Sequence, residues 1–302
     1  MTTNPYLPDV PGLSGCLIAV LTHTPGGMPQ TLKKSAGRKD YFSRLLAQAN
    51  KQQQFAALNR LAWIKTPEIY EAAMQDDECY FTMEFIHAQH FHEFLSAASN
   101  EEIDKLGSRL ISLIEQSMGF SAERDVSYSV ILNKVAEIRR ILAHNPLLRL
   151  DRSNVIPRAL KRIESLKIDT IRIPIGFCHG DLTFSNMLFR PEDDTLFVID
   201  FLDSFIESPL IDIVKLRQDT YLHWTTRLIG LDAGSELAKI SMAFARLDNM
   251  ITKHFSIYPF FQKWYPLMQL LNLARIVPYI QEVDRMKIIL SIMHRVEKEG
   301  IE

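Results

Sequence analysis

Cysteine is scarce in this 302-residue chain: Cys16, Cys79 and Cys178 stand far apart and in no paired spacing. A disulfide framework and a zinc ribbon are therefore not expected. Long apolar runs are missing too. No stretch approaches the roughly 18 apolar residues that a membrane-spanning helix needs, and the early run at residues 16–21 follows Pro and Asp, not a basic segment. Neither a membrane association nor a signal peptide is expected, and a cytoplasmic location is the default that follows. Charge of one sign is not in excess either, since 34 Lys and Arg stand against 36 Asp and Glu for a formal net charge of -2. That balance argues against a nucleic-acid footprint and against a polybasic anchor. With 12 Gly and 14 Pro the chain is neither collagen-like nor of low complexity. It also lacks G-x-x-x-x-G-K-[ST], G-x-G-x-x-G after a strand, and G-x-S-x-G. P-loop, dinucleotide-fold and serine-hydrolase chemistries are thereby set aside.

Hydrophobic residues make up 47% and charged residues 23%, the proportions of an ordinary globular protein. At about 150 residues per domain, the length allows two folding units or one large one. Residues 15–24 alternate loosely around apolar positions, Pro25-Gly26-Gly27 supplies turn chemistry, and residues 30–34 can return as a strand. A short antiparallel sheet is the simplest reading. Phe42, Leu45, Leu46, Ala49, Phe55, Leu58 and Leu61 recur at helical spacing and predict one amphipathic helix over residues 41–61. Residues 79–86 then read as a strand. Beyond residue 90 the pattern predicts helices near 101–116, 129–143, 157–166, 209–227, 234–254, 260–275 and 282–298, interrupted by β structure between 173 and 201. The expected architecture is α+β and bilobal. Residues 1–87 form a small β-sheet part with one helix and a hinge strand, and residues 88–302 a larger, mostly helical part with one hairpin.

That hairpin carries the chemistry. Two apolar runs, residues 187–189 and 196–199, flank a polar six-residue turn containing Pro191, which predicts antiparallel strands. The start of the first strand then lies beside the end of the second, so Asn186 and Asp200 share one open end. Asp181, five residues before Asn186, lies on the loop leading in. Hard cations such as Mg²⁺ prefer carboxylate and amide oxygens and keep room for substrate phosphates. An Asp and an Asn for the metal, with a separate Asp to accept a hydroxyl proton, is the set that phosphoryl transfer requires.

His179-Gly180-Asp181, Asn186 and then Ile199-Asp200-Phe201 resemble the catalytic and metal loops of the aminoglycoside phosphotransferase and choline kinase family, small-molecule relatives of the protein kinases. The resemblance implies a protein-kinase-like fold, ATP as donor, Asp181 as catalytic base, and Asn186 and Asp200 as Mg²⁺ ligands. It implies a small-molecule hydroxyl acceptor: a sugar, an amino sugar or aminoglycoside, or an amino alcohol such as choline. Ser208-Pro209-Leu210-Ile211-Asp212 is similar to the family segment whose helix-borne Asp braces the catalytic loop, and Ser then Pro is a helix N-cap and first-turn pair. Asp212 and His179 are read as structural support.

The resemblance also implies a strand Lys on the nucleotide phosphates, held by a helix Glu, and adenine contacts from backbone groups of Glu84, Phe85 and Ile86. Lys33 and Lys34 are the strand candidates, with Lys34 favoured. The following helix offers Gln48, Gln52, Gln53 and Gln54 and no Glu between residues 41 and 61, so the ion pair is not expected from this helix, and a Gln can hydrogen-bond the ammonium only without the charge term. The glycine-rich phosphate cover is reduced to Gly12-Leu13-Ser14-Gly15. These departures favour the alternative of a catalytically silent kinase-like module that binds a nucleotide or a partner.

Asp203 and Glu207 are candidates for an acceptor contact or, equally, members of a solvated loop. His87, His90 and His92 lack zincin spacing and read as solvent-facing. The aromatic stretch Phe255, Tyr258, Phe260, Phe261, Trp264 and Tyr265 reads as core packing ahead of a cation–π cage. Cys178 reads as a buried, inert thiol. The oligomeric state is not fixed by any of these features.

Overall fold

The computed structural model describes residues 16–21, 30–228 and 234–299. In chain order the strands are β1 (Leu17–Leu21), β2 (Thr31–Ala36), β3 (Ile64–Lys65), β4 (Ile69–Met74), β5 (Cys79–Glu84), β6 (Gln89–His90), β7 (Ala122–Ser127), β8 (Thr170–Ile175), β9 (Met187–Arg190) and β10 (Thr195–Val198). The helices are α1 (Lys39–Leu58), α2 (Phe91–Ala97), α3 (Asn100–Gly119), α4 (Ser129–Leu142), α5 (Val155–Glu164), α6 (Pro209–Thr220), α7 (Trp224–Leu228), α8 (Ser235–Phe255), α9 (Pro259–Ile276) and α10 (Val283–Glu299). The Pro25-Gly26-Gly27 turn and the Gly12 to Gly15 segment lie outside the described residues.

The chain divides into two compact units, Met1–His90 with Asn186–Asp203, and Phe91–Ser185 with Ser204–Glu302. The sequence reading puts a boundary after residue 87 and the hairpin in the second part. In the structure the hairpin counts with the first unit, because β10 pairs in parallel with β3 and β9 pairs antiparallel with β6, in a sheet of order β3-β10-β9-β6.

The other sheet of the first unit has the order β1-β2-β5-β4 and is antiparallel throughout. Helix α1 covers one face of it. Phe42, Leu45 and Ala49 of α1 pack with Ala36 of β2 and Cys79, Phe81 and Met83 of β5 in a dry core, the apolar stripe that period 3.6 on the helix and period 2 on the strands both present. Helix α1 ends at Leu58, three residues before the expected Leu61. The Asn59 side chain stops it by accepting from Leu61 N at 3.1 Å and donating to the Ile64 carbonyl at 2.6 Å, local bonds that compete with another helical turn.

The second unit is built on helices that begin and end close to their expected bounds. Helix α3 opens on a capping box in which Ser99 and Glu102 exchange bonds. Helix α6 opens on Ser208, whose hydroxyl accepts from Leu210 N at 3.2 Å, with Pro209 in the first turn. One helix is expected over 209–227, and two are found. His223 adopts a left-handed φ of 57° that breaks the helix, and Asp219 of α6 accepts from Thr225 N at 3.0 Å in the first turn of α7. Strand β7, AERDVS, is not legible as a strand in the sequence; its side chains are mostly exposed and it pairs with β8 in a two-stranded antiparallel sheet. The aromatic stretch is core as read, with Phe255, Phe260, Phe261, Trp264 and Tyr265 all buried. Among the described residues, no helix is long and apolar enough to cross a membrane.

Candidate active site

The hairpin forms in the expected register, with Met187 opposite Val198 as its last pair at the open end. Asn186 and Asp200 stand just beyond that pair. The Asn186 carbonyl accepts from Ile199 N at 3.0 Å, which extends the ladder by one bond and holds the two loop ends together. Asp200 has a φ of 61°, a left-handed conformation that Asp tolerates better than most residues and that a continuing strand does not use. The chain therefore turns at Asp200. Phe201 packs its ring 5.1 Å from that of Phe55 on α1.

Lys34 and Lys33 lie on opposite faces of β2, as strand alternation requires. Lys34 points to the α1 face, where its side chain is 4% exposed and its Nζ sits 2.8 Å from Asp200 Oδ1. Burial by itself lowers an ammonium pKa, but the Asp200 carboxylate outweighs it and holds Lys34 above the ordinary lysine range. Lys33 instead pairs with Glu78 at 2.8 Å and lies over the Tyr80 ring. Among the described residues no glutamine of α1 holds the lysine. Gln48 donates to the Tyr41 hydroxyl and Gln52 to the Pro67 carbonyl, while Gln53 and Gln54 are exposed. With no Glu on α1, Asp200 supplies the counter-charge. Lys51, which the sequence pattern did not single out, is buried on the same helix and donates to the Leu202 carbonyl at 2.7 Å.

At the end of β5, Glu84 N donates to the Glu68 carbonyl and Phe85 N to the Gln30 carbonyl, both at 2.9 Å. Among the described residues the Ile86 amide has no such partner, so of the three candidate positions it is the one with a donor left for a ligand.

In the second unit, Gly180 has a φ of 86°, which glycine supplies without strain between His179 and Asp181. Asp212, the first-turn acid of α6, accepts from His179 N at 2.7 Å and Gly180 N at 2.8 Å. His179 Nδ1 in turn accepts from Asp181 N at 3.2 Å. Both side chains thus accept from amides of the loop backbone. The Asp181 carboxylate lies 3.0 Å from Lys215 Nζ. Asp219, fully buried, accepts from Phe184 N at 2.8 Å and from Thr225 N and Oγ1 at 3.0 and 2.6 Å. Burial pushes its pKa up to about 6, against the pull of those donors. Lys215 and Asp219 escaped the sequence reading; the signal available was their spacing of three and seven residues from Asp212 on one helix.

Glu207 is committed to its own loop, with Oε1 accepting from Ser204 N at 2.6 Å and Oε2 lying 3.2 Å from the buried Cys178 thiol. Asp203 is exposed. Among the described residues no group of three or more His, Cys, Asp and Glu side chains is disposed to hold a metal ion. A cation that needs only an Asp and an Asn from the protein and takes its remaining oxygens from phosphate and water, as Mg²⁺ does, fits the donors at the hairpin end.

Residues 33–237 match the model of APH, the phosphotransferase enzyme family. The fold is similar to that of aminoglycoside phosphotransferase APH(4)-Ia, in a thermostable variant without ligand (TM-score 0.57, 9% identity, 94% of each chain) and in a variant in ternary complex with AMP-PNP and hygromycin B (TM-score 0.58, 8% identity, 94% of each chain). It is also similar to an aminoglycoside-3'-phosphotransferase of type VIII (TM-score 0.50, 15% identity, 88% of this chain and 94% of that one). No curated protein matches the sequence.

Proposed function

The chain belongs to the phosphotransferase enzyme family, and on that premise we propose that it moves the γ-phosphate of ATP to a hydroxyl of a small molecule: a sugar, an amino sugar or an amino alcohol. The observation that carries this reading is the 2.8 Å Lys34–Asp200 pair at the open end of the hairpin that also bears Asn186. Lys34 binds the nucleotide phosphates, and backbone groups of Glu84, Phe85 and Ile86 meet the adenine. Asn186 and Asp200 hold Mg²⁺, which when bound neutralises charge on the transferring phosphoryl group. Asp181 orients the acceptor hydroxyl and takes its proton as the new oxygen–phosphorus bond forms and the bond to the ADP oxygen breaks. His179 and Asp212 keep the Asp181 backbone in place. Asp203 is available to an acceptor; Glu207 braces the loop beside it. Cys16, Cys79 and Cys178 form no disulfide, which suits a reducing, cytoplasmic setting.

A silent nucleotide- or partner-binding module is favoured by one observation, the absence of a Glu from α1. A thermal-shift titration with ATP, with and without Mg²⁺, separates the two readings. The enzyme is expected to gain about 2.7 kcal/mol at a hundredfold excess of ligand over Kd, and only with the metal. ADP release is then measured against a panel of hydroxylated metabolites. If Asp181→Ala and Asp200→Ala both kept wild-type turnover on the accepted substrate, the assignment would be wrong.

A further inference from the structure

Helix α6 carries Asp212, Lys215 and Asp219 at spacings of three and four, which set the three side chains on one face. Each engages a different part of the catalytic loop: Asp212 the amides of His179 and Gly180, Lys215 the carboxylate of Asp181, Asp219 the amide of Phe184. Every other residue of α6 is buried, and the Lys215 side chain is itself only 14% exposed. A lysine near a surface ordinarily carries its ammonium into water. Here the ammonium stays at the protein and its partner is Asp181, since a charge stripped of most of its water persists only when paired.

We propose that Lys215 is a positioning residue for phosphoryl transfer. Its ammonium, 3.0 Å from Asp181 Oδ1, fixes the Asp181 carboxylate in one orientation. Asp212 and Asp219 hold the loop backbone, and Lys215 holds the reacting side chain, so a single rigid helix sets both. Such preorganisation is worth most where the group must already be aligned when the acceptor arrives. The inference rests on Asp181 being the base.

The test is steady-state ADP release from Mg·ATP by the full chain. The acceptors are glucose, choline, hygromycin B and water, and the one giving the fastest wild-type rate is used throughout. Lys215→Met is expected to lower kcat about 10- to 100-fold with the KM for ATP and the thermal midpoint unchanged. Lys215→Arg, which keeps the charge, is expected to recover most of that loss, and Lys215→Gln to behave as the Met variant does. If the Met and Gln variants turn over at the wild-type rate while Asp181→Ala is inactive, the role given to Lys215 is overturned and that of Asp181 stands. If Asp181→Ala matches wild type, the reading of Asp181 fails and this inference with it. A kcat loss that Arg does not recover, or that comes with a lowered midpoint, marks Lys215 as merely structural and also overturns the proposal.

Discussion

The Nζ of Lys34 lies 2.8 Å from Oδ1 of Asp200, a pairing across 166 positions of sequence that no local pattern contains. It separates two adjacent lysines by role. Lys34→Met is expected to cut kcat/KM for ATP by about 10²- to 10³-fold, the usual cost of removing one preorganised donor from a phosphate or oxyanion. Lys33→Met removes a surface pair with Glu78 and a contact over the Tyr80 ring and is expected to cost about 1 kcal/mol of stability, with turnover unchanged. Steady-state kinetics on the two variants decide the matter, and equal losses would refute the assignment of Lys34.

Asp181→Asn keeps the size of the side chain and removes its basicity. Turnover is expected to fall about 10²- to 10⁴-fold, the range for general-base catalysis, with ATP binding by calorimetry near the wild-type value. A loss of ATP affinity in step with turnover would place Asp181 at the nucleotide and contradict a role at the acceptor.

Asp219 gives the fold a pH dependence of unusual sign. Its pKa of about 6 lies above the unfolded value of 3.8, so between these the folded state binds more protons than the unfolded one. Stability from this group is therefore greatest below about pH 4, falls as pH rises, and is fully lost above about pH 6. The shift corresponds to roughly 3 kcal/mol. Asp219→Asn cannot titrate. The wild type is expected to lose about 2–3 kcal/mol of urea-unfolding free energy relative to the variant from pH 4 to pH 7, and a constant difference would show that Asp219 does not titrate in this window.

Gly176, at the exit of β8, has no room for a side chain: an added Cβ would sit 2.7 Å from the Ser121 Cα. Gly176→Ala is expected to destabilise the chain by about 1–3 kcal/mol through overpacking against backbone. Gly37 has nothing within 4 Å of the same atom, and Gly37→Ala is expected to be neutral or to stabilise by up to about 1 kcal/mol. Thermal unfolding of the pair checks both.

Lys215 apart, the residues proposed for phosphoryl transfer are all legible in the sequence. His179-Gly180-Asp181, Asn186 and Asp200 carry their meaning in residue type and spacing. The hairpin that brings Asn186 to Asp200 is a local structure with a turn signal in the middle. Ser208-Pro209 likewise announced α6, because capping is decided by neighbours in sequence. The sequence reading favours Lys34 over Lys33, but no local pattern names the carboxylate that faces it. The helix was searched for a partner, whereas the partner comes from the turn after β10. Lys51, Lys215 and Asp219 were passed over because each looks, within its own helix, like an ordinary solvated charge.

The sequence by itself determined the secondary elements with strong periodicity or caps, the hairpin register, and the set of oxygen-bearing residues fit for phosphoryl transfer. These depend on interactions over a few residues, where backbone geometry and side-chain type leave few choices. Tertiary structure decided which charges are paired. Lys34 with Asp200, and Lys215 with Asp181, are joined by burial: once an ammonium is withdrawn from water it must meet a carboxylate, and only the folded chain determines which one is within reach.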